Sequence, residues 1–305
     1  MGGTVNQERS QILRYLQHAR HDALRRKGVV MKKLVTAVVA SLLMGGHSAH
    51  ASGENIGSLS HIHAVKVHKD KIILGTHEGV YQYLDEKSVQ RISTETFDVM
   101  GLAISSKGFF ASGHPGKGSK FPEPVGLLSS ADGGKSWTTV ALSGEVDFHT
   151  LETSGSEFYG ADSGSGQLMY SSDGGKSWVK RGTHTFTDIA INPKAKGSVL
   201  AIKDGKLHRS TNALKSSKQI STPFQIGSID WVGESLIAAA GKDLYQSVNG
   251  GTSWKKVATL PAPIGIVAQS SQLIAVVVGG AIYASTNKGK SFKKYVYKSG
   301  LKFQS

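Results

Sequence analysis

The chain has 305 residues, with 36 Lys and Arg against 22 Asp and Glu, a formal net charge of +14 and no cysteine. Lack of cysteine rules out disulfides, thiolate metal sites and a lipid-anchored N-terminal cysteine, so a folded domain must rest on its apolar core. The positive charge is concentrated at the start: residues 1–51 hold eight basic and two acidic residues, and without them the balance falls to +8, spread mainly as lysines rather than gathered into a nucleic-acid footprint.

The first expected element is a leader. Met31-Lys32-Lys33 opens an apolar run from Leu34 to Met44, followed by Ala49-His50-Ala51, which reads as a Sec-type signal peptide over 31–51 with cleavage after Ala51. Residues 1–30, with Arg9, Arg14, Arg20, Arg25 and Arg26, read as an upstream extension from a misassigned start, translation beginning at Met31. Residues 52–305 are then one exported domain, secreted or otherwise extracytoplasmic and expected to be a monomer. No other apolar stretch approaches the ~20 residues of a membrane helix.

From there the sequence alternates short strands with turns. A degenerate unit, Val80-Tyr81-Gln82-Tyr83-Leu84-Asp85, precedes five turns of one design that begin at Ser130, Ser171, Ser210, Ser247 and Ser285, 37–41 residues apart. A fixed period near forty is that of a four-stranded blade repeated around a ring. The turn reads most clearly in Ser171-Ser172-Asp173-Gly174-Gly175-Lys176-Ser177-Trp178. Asp132, Asp173, Asn249 and Asn287 are placed to accept hydrogen bonds from amides of their own turn. Gly134, Gly175, Gly251 and Gly289 suit a positive φ, while Trp137, Trp178, Trp254 and Phe292 bury a ring beneath the turn.

The prediction is an all-β, six-bladed propeller of four-stranded antiparallel blades, starting near His61, Asp98, Asp147, Phe186, Ile226 and Pro263, with a seventh blade closed from both termini as the alternative. Blade three should run Val146 to Thr153, Glu157 to Ala161, Gln167 to Ser171 and Trp178 to Arg181.

The repeated turns resemble those of Asp-box, or BNR-repeat, propellers, found in bacterial sialidases and other glycosidases, in sortilin ectodomains and in photosystem assembly factors. His61-Ile62-His63, Ser112-Gly113-His114-Pro115 and Asp147-Phe148-His149 are more closely similar to a family of exported bacterial propellers labelled glycosyl hydrolase. The resemblance covers nearly all of residues 52–305 and implies the fold. Hydrolysis is implied only by the label, since one fold hosts many functions.

In an antiparallel blade the repeated turns, which join strands three and four, lie on one face, and the strand-one entrances and strand-two ends lie on the other. His61, His63, His77, His114, His149 and His184, six of the eight histidines after residue 51, map to that second rim, with Asp98, Asp147, Asp162 and Asp188. The expected ligand-binding set is His61, His63, His77, His114, His149, Asp162 and Asp188. A divalent metal could be held by His63, His77, His114 and His149, since imidazole and carboxylate are its donors. Asp98 and Asp147 are the candidate catalytic carboxylates. Against this stands the ordinary use of such residues, a histidine bonding a loop carbonyl or an aspartate capping a turn.

A sialidase mechanism is disfavoured: it needs arginines facing the channel to grip a carboxylate, and Arg91, Arg181 and Arg209 fall on or after outer strands. The loop His114 to Pro124, with Pro115, Pro122 and Pro124, reads as a wall or lid over the rim or as an ordinary surface loop. Phe97, Phe148, Phe186 and Phe224 could stack on sugars or pack between blades. The functional readings are therefore a hydrolase-like propeller acting on carbohydrate, a non-catalytic binding or assembly propeller recognising a protein or cell-wall polymer, and a metal-binding extracytoplasmic protein.

Overall fold

The computed structural model describes residues 53–85 and 87–295 and the backbone of Lys302–Phe303. The start-site and signal-peptide expectations concern residues 1–51 and lie outside the described residues. Within them the chain forms six antiparallel sheets whose four consecutive strands pair in chain order, the six blades of a propeller. Blade three runs Phe148–Ser154, Glu157–Asp162, Gln167–Ser171 and Val179–Thr183, every boundary within two residues of expectation. The innermost strands are His61–His68, Phe97–Ser105, Phe148–Ser154, Asp188–Ile191, Ser228–Val232 and Ile264–Gln269. Blade one carries two additions: Glu54–Asn55 pairs antiparallel with its outer strand, and Lys302–Phe303 pairs in parallel with His61 and Ile62. Among the described residues no helix is long and apolar enough to cross a membrane.

Cohesion lies between blades. Each of the six buried apolar clusters draws residues from two neighbouring blades: Ile73 and Val80 of blade one meet Phe97, Leu128 and Trp137 of blade two, and Ile62 and Leu74 of blade one meet Leu273 and Ile282 of blade six. That last cluster closes the ring, together with the pairing of Lys302–Phe303, which follows blade six in the chain, on the innermost strand of blade one. Alternate residues of each strand face opposite sides of its sheet, so a middle strand such as Ile274–Val278, covered by a neighbour on both faces, is apolar throughout. Small polar side chains add clasps from one innermost strand to the next blade: Phe148 N donates to Ser112 Oγ at 2.9 Å, Ile229 N to Asp188 Oδ2 at 2.9 Å, and Gln269 N to Asp230 Oδ2 at 2.6 Å.

The repeated turn holds its shape by side-chain hydrogen bonding. Asp173 Oδ1 accepts from the amides of Lys176 (3.1 Å) and Ser177 (3.0 Å) and from Ser171 Oγ (2.8 Å), and its Oδ2 accepts from Ser177 Oγ at 2.6 Å. These bonds hold both Asp132 and Asp173 far below the usual carboxylate range. In the Asn copies one oxygen keeps the amide, and the amide nitrogen donates to the serine hydroxyl instead, as from Asn249 Nδ2 to Ser253 Oγ at 2.8 Å. The copy at Asn212 lacks glycine, yet Ala213 and Leu214 both adopt φ +56°, so the hydrogen bonds impose the left-handed backbone that glycine elsewhere adopts freely.

Ser171 is 1% exposed, and its hydroxyl accepts from Gly175 N at 3.0 Å. Ser171→Ala leaves that buried amide unpaired and should cost about 1–3 kcal/mol. Urea unfolding checks it, and an unchanged midpoint would mean the turn does not depend on this bond.

Candidate functional site

The innermost strands begin on the face opposite the repeated turns, and four of them carry a one-residue bulge there. Pairing slips between Ile62 and Ala64, Val99 and Gly101, Phe148 and Thr150, and Ile264 and Ile266, leaving His63, Met100, His149 and Gly265 as the extra residues. A bulged residue leaves the alternation of its strand and can be aimed elsewhere. Here the bulges bring His63, Met100 and His149 to one cavity of about 350 Å3, lined also by Asp162, Ser163 and His184.

The histidines form two groups. In the first, His61 Nδ1 lies 2.8 Å from His77 Nε2, His77 Nδ1 lies 2.6 Å from Asp98 Oδ2, and His63 Nε2 faces Asp98 Oδ1 at 3.5 Å. The His63 side chain is only 3% exposed. Its Nε2 and Asp98 Oδ1 are buried without a hydrogen-bond partner. Burial lowers the pKa of His63, and the nearby imidazoles of His77, His61 and His149 add to this against the opposing pull of Asp98.

In the second group Asp147 is central. Its Oδ2 accepts from His149 Nε2 and Ser163 Oγ, both at 2.7 Å, and lies 3.3 Å from His114 Nε2, whose Nδ1 meets Glu123 at 2.6 Å. Burial works against the Asp147 charge, but the bonds from His149 and Ser163 outweigh it and hold the carboxyl below its ordinary value. For His114, Glu123 and Asp147 outweigh burial and raise the pKa. Thus the four histidines expected to share one metal are distributed, His63 and His77 in one group, His114 and His149 in the other.

The remaining expected residues fall as follows. Asp162 lines the cavity, but its carboxylate caps the local turn, accepting from Asp147 N and Ser165 N. Asp188 lies deeper, in the channel, and serves as a clasp to Ser228 and Ile229. The His114 to Pro124 loop is a wall: Phe121 is buried in the core between blades one and two, and Glu123 bonds His114. Phe97 and Phe148 are fully buried, in edge contact with Trp137 and tilted against Trp178 respectively; Phe224 stacks on Tyr245. Their use is packing. Arg91, Arg181 and Arg209 each bond backbone carbonyls, and none lines the cavity.

Below the mouth the channel opens to about 530 Å3 and contains charges that the sequence reading passed over, Lys66, Glu152 and Asp230 beside Asp188. Lys66 pairs with Glu152. Burial pushes Glu152 up to about 7 and Asp230 up to about 6, with Lys66 pulling both back. Their signal was a charged residue in the middle of an innermost strand, where only the channel can receive it.

No protein-family model and no curated protein matches the sequence. Among solved structures the chain is similar to the GH74 enzyme of Niastella koreensis, at 20% identity and TM-score 0.53 over 77% of this chain and 37% of that one. It is also similar to a chain of the nidogen/laminin complex (9%, 0.54, 74% and 93%) and to PorZ, a surface component of the type-IX secretion system of Porphyromonas gingivalis (14%, 0.50, 79% and 33%). The chain thus spans about a third of the GH74 and PorZ chains. At these identities the likeness establishes the fold, and the chain is a six-bladed β-propeller.

Proposed function

We propose that this is an exported recognition propeller of the Asp-box class that binds a polar segment of a protein partner at its His/Asp mouth without turning it over. The observation that carries this reading is the lining of the mouth: imidazoles, a thioether, a carboxylate and two hydroxyls, with no Phe, Tyr or Trp ring. Carbohydrate sites depend on ring faces for stacking, and the phenylalanines near the blade entrances are spent on packing. Hydrolysis of a glycoside also needs a carboxyl that holds its proton near neutral pH; Asp147 at the mouth is held ionised, and Glu152, raised to about 7, lies deeper in the channel paired with Lys66. The fold is shared by an enzyme, a chain of the nidogen/laminin complex and a secretion-system component, so it does not choose between the readings.

The test is binding to a displayed peptide library beside a polysaccharide panel assayed for reducing ends. The expected result is saturable peptide binding lost in His149→Ala and retained in Lys176→Ala, on the opposite face. Release of reducing ends that disappears in Asp98→Asn or Asp147→Asn would replace this reading with the hydrolase.

A further inference from the structure

We propose that His61, His63 and His77, with Asp98 beside them, hold one divalent transition-metal ion of the zinc or copper class. The three candidate donor nitrogens lie within 4.8 Å of one another. Around a tetrahedral ion with bonds of ~2.0–2.1 Å, ligand nitrogens stand about 3.3 Å apart, so changes of no more than about 1.5 Å in the separations between donors convert the present arrangement into a shell.

The tautomers are prepared for it. Asp98 Oδ2 accepts from His77 Nδ1 at 2.6 Å, which leaves Nε2 of that ring with its lone pair. A carboxylate behind a ligating histidine is the usual outer support of such sites. His61 Nδ1, now 2.8 Å from His77 Nε2, becomes a donor once its proton sits on its own Nε2. That is a change of tautomer with no net proton released.

The observation that sets this group apart from an ordinary histidine network is the pair of atoms it leaves unused. His63, 3% exposed in its side chain, directs Nε2 toward Asp98 Oδ1, and neither atom has a hydrogen-bond partner. At 3.5 Å they are too far apart to satisfy one another well and near enough to share a cation. With Asp98 Oδ1 as fourth ligand, both of these atoms acquire a partner. Three imidazoles select against calcium and magnesium, which take oxygen shells, and suit zinc, with copper binding more tightly to the same donors. The second group also leaves a buried carboxylate oxygen, Asp147 Oδ1, without a partner, but it brings two imidazoles together rather than three, and its Oδ2 is taken by His149 and Ser163.

The inference goes beyond recognition of a partner and does not depend on it. The untagged full chain is stripped with chelator and titrated separately with Zn2+, Cu2+ and Co2+, the last read by the visible bands of four-coordinate cobalt. One equivalent is expected. His63→Gln should weaken binding at least ~100-fold and Asp98→Asn ~10–100-fold, with His114→Gln within about threefold of the parent. His77→Gln, on a partly exposed turn, replaces His63→Gln if circular dichroism shows that the buried variant has not folded. No stoichiometric binding, or equal loss in His114→Gln and His63→Gln, overturns the proposal. Peptide binding measured with and without chelator separates the two ideas: a protein that takes metal and no peptide refutes recognition alone, and one that takes peptide and no metal refutes this site alone.

Discussion

Lys66→Met should destabilise the protein by about 3–5 kcal/mol at pH 8, the range for breaking a buried ion pair from one side, and by much less at pH 5. Lys66 is the cation in a narrow channel that also holds Glu152, Asp188 and Asp230, with His63 and His149 where it meets the mouth. Burial raises the pKa of Glu152 from 4.5 to about 7 and that of Asp230 from 3.8 to about 6 even with the lysine present. A carboxyl whose pKa rises on folding binds its proton more tightly in the native state. Its contribution is therefore favourable at low pH and is lost as pH climbs from the unfolded value through the folded one, here between about 4 and 7.

Removing the cation raises these values further and deepens the loss above pH 7. The Lys66 and Glu152 side chains keep about a quarter of their surface open, 24% and 26%, so channel water should hold the effect to the lower half of the range. Urea unfolding at the two pH values checks it, and the double variant Lys66→Met, Glu152→Leu should recover most of the stability. Equal losses at pH 5 and pH 8 would show that the lysine acts through packing alone.

Trp137→Ala should cost about 3–5 kcal/mol, more than the same change at Trp254. The two rings occupy equivalent places in the repeat and make the same bond, Nε1 to a turn carbonyl, at 3.0 Å to Gly134 and 3.1 Å to Gly251. They differ in what surrounds them. Trp137 is 1% exposed and packs edge-on to Phe97 at 5.4 Å between blades one and two, whereas Trp254 is only partly buried beside Phe224 at 5.8 Å. The cost should follow burial and the cavity left behind, not the motif. Thermal or urea unfolding of both variants ranks them, and a larger loss at Trp254 would reverse the argument.

The sequence made the blades legible because its period is carried by residues with one local job. Ser171, Asp173 and Trp178 bond within a few positions of themselves, so their spacing survives into the structure unchanged. The rim was legible as a face for the same reason, since strand order alone decides which loops share it. The grouping of the histidines was not. Whether His77 meets Asp98 or His149 depends on distances between blades and on bulges, and a linear period contains neither. Glu123 escaped notice because its partner His114 is reached only when the loop folds back over Phe121. Asp188 looked like a rim residue by register, but its carboxylate serves the neighbouring blade.

The bulges confer a freedom that the rest of the ring lacks. Blades six, one, two and three form a continuous arc, and each holds at its mouth one residue exempt from the alternation that governs its strand. Substituting such a residue leaves the strand register and both sheet faces as they were, so this arc can be rewritten one position at a time. Blades four and five pair regularly, and Asp188 and Ser228 there are committed to holding neighbours. The socket is thus two-thirds programmable and one-third fixed. Gly265 is its blank: a Cβ there would meet only Val277 O, at 3.9 Å, so blade six has room for a side chain that would extend the arc of His63, Met100 and His149.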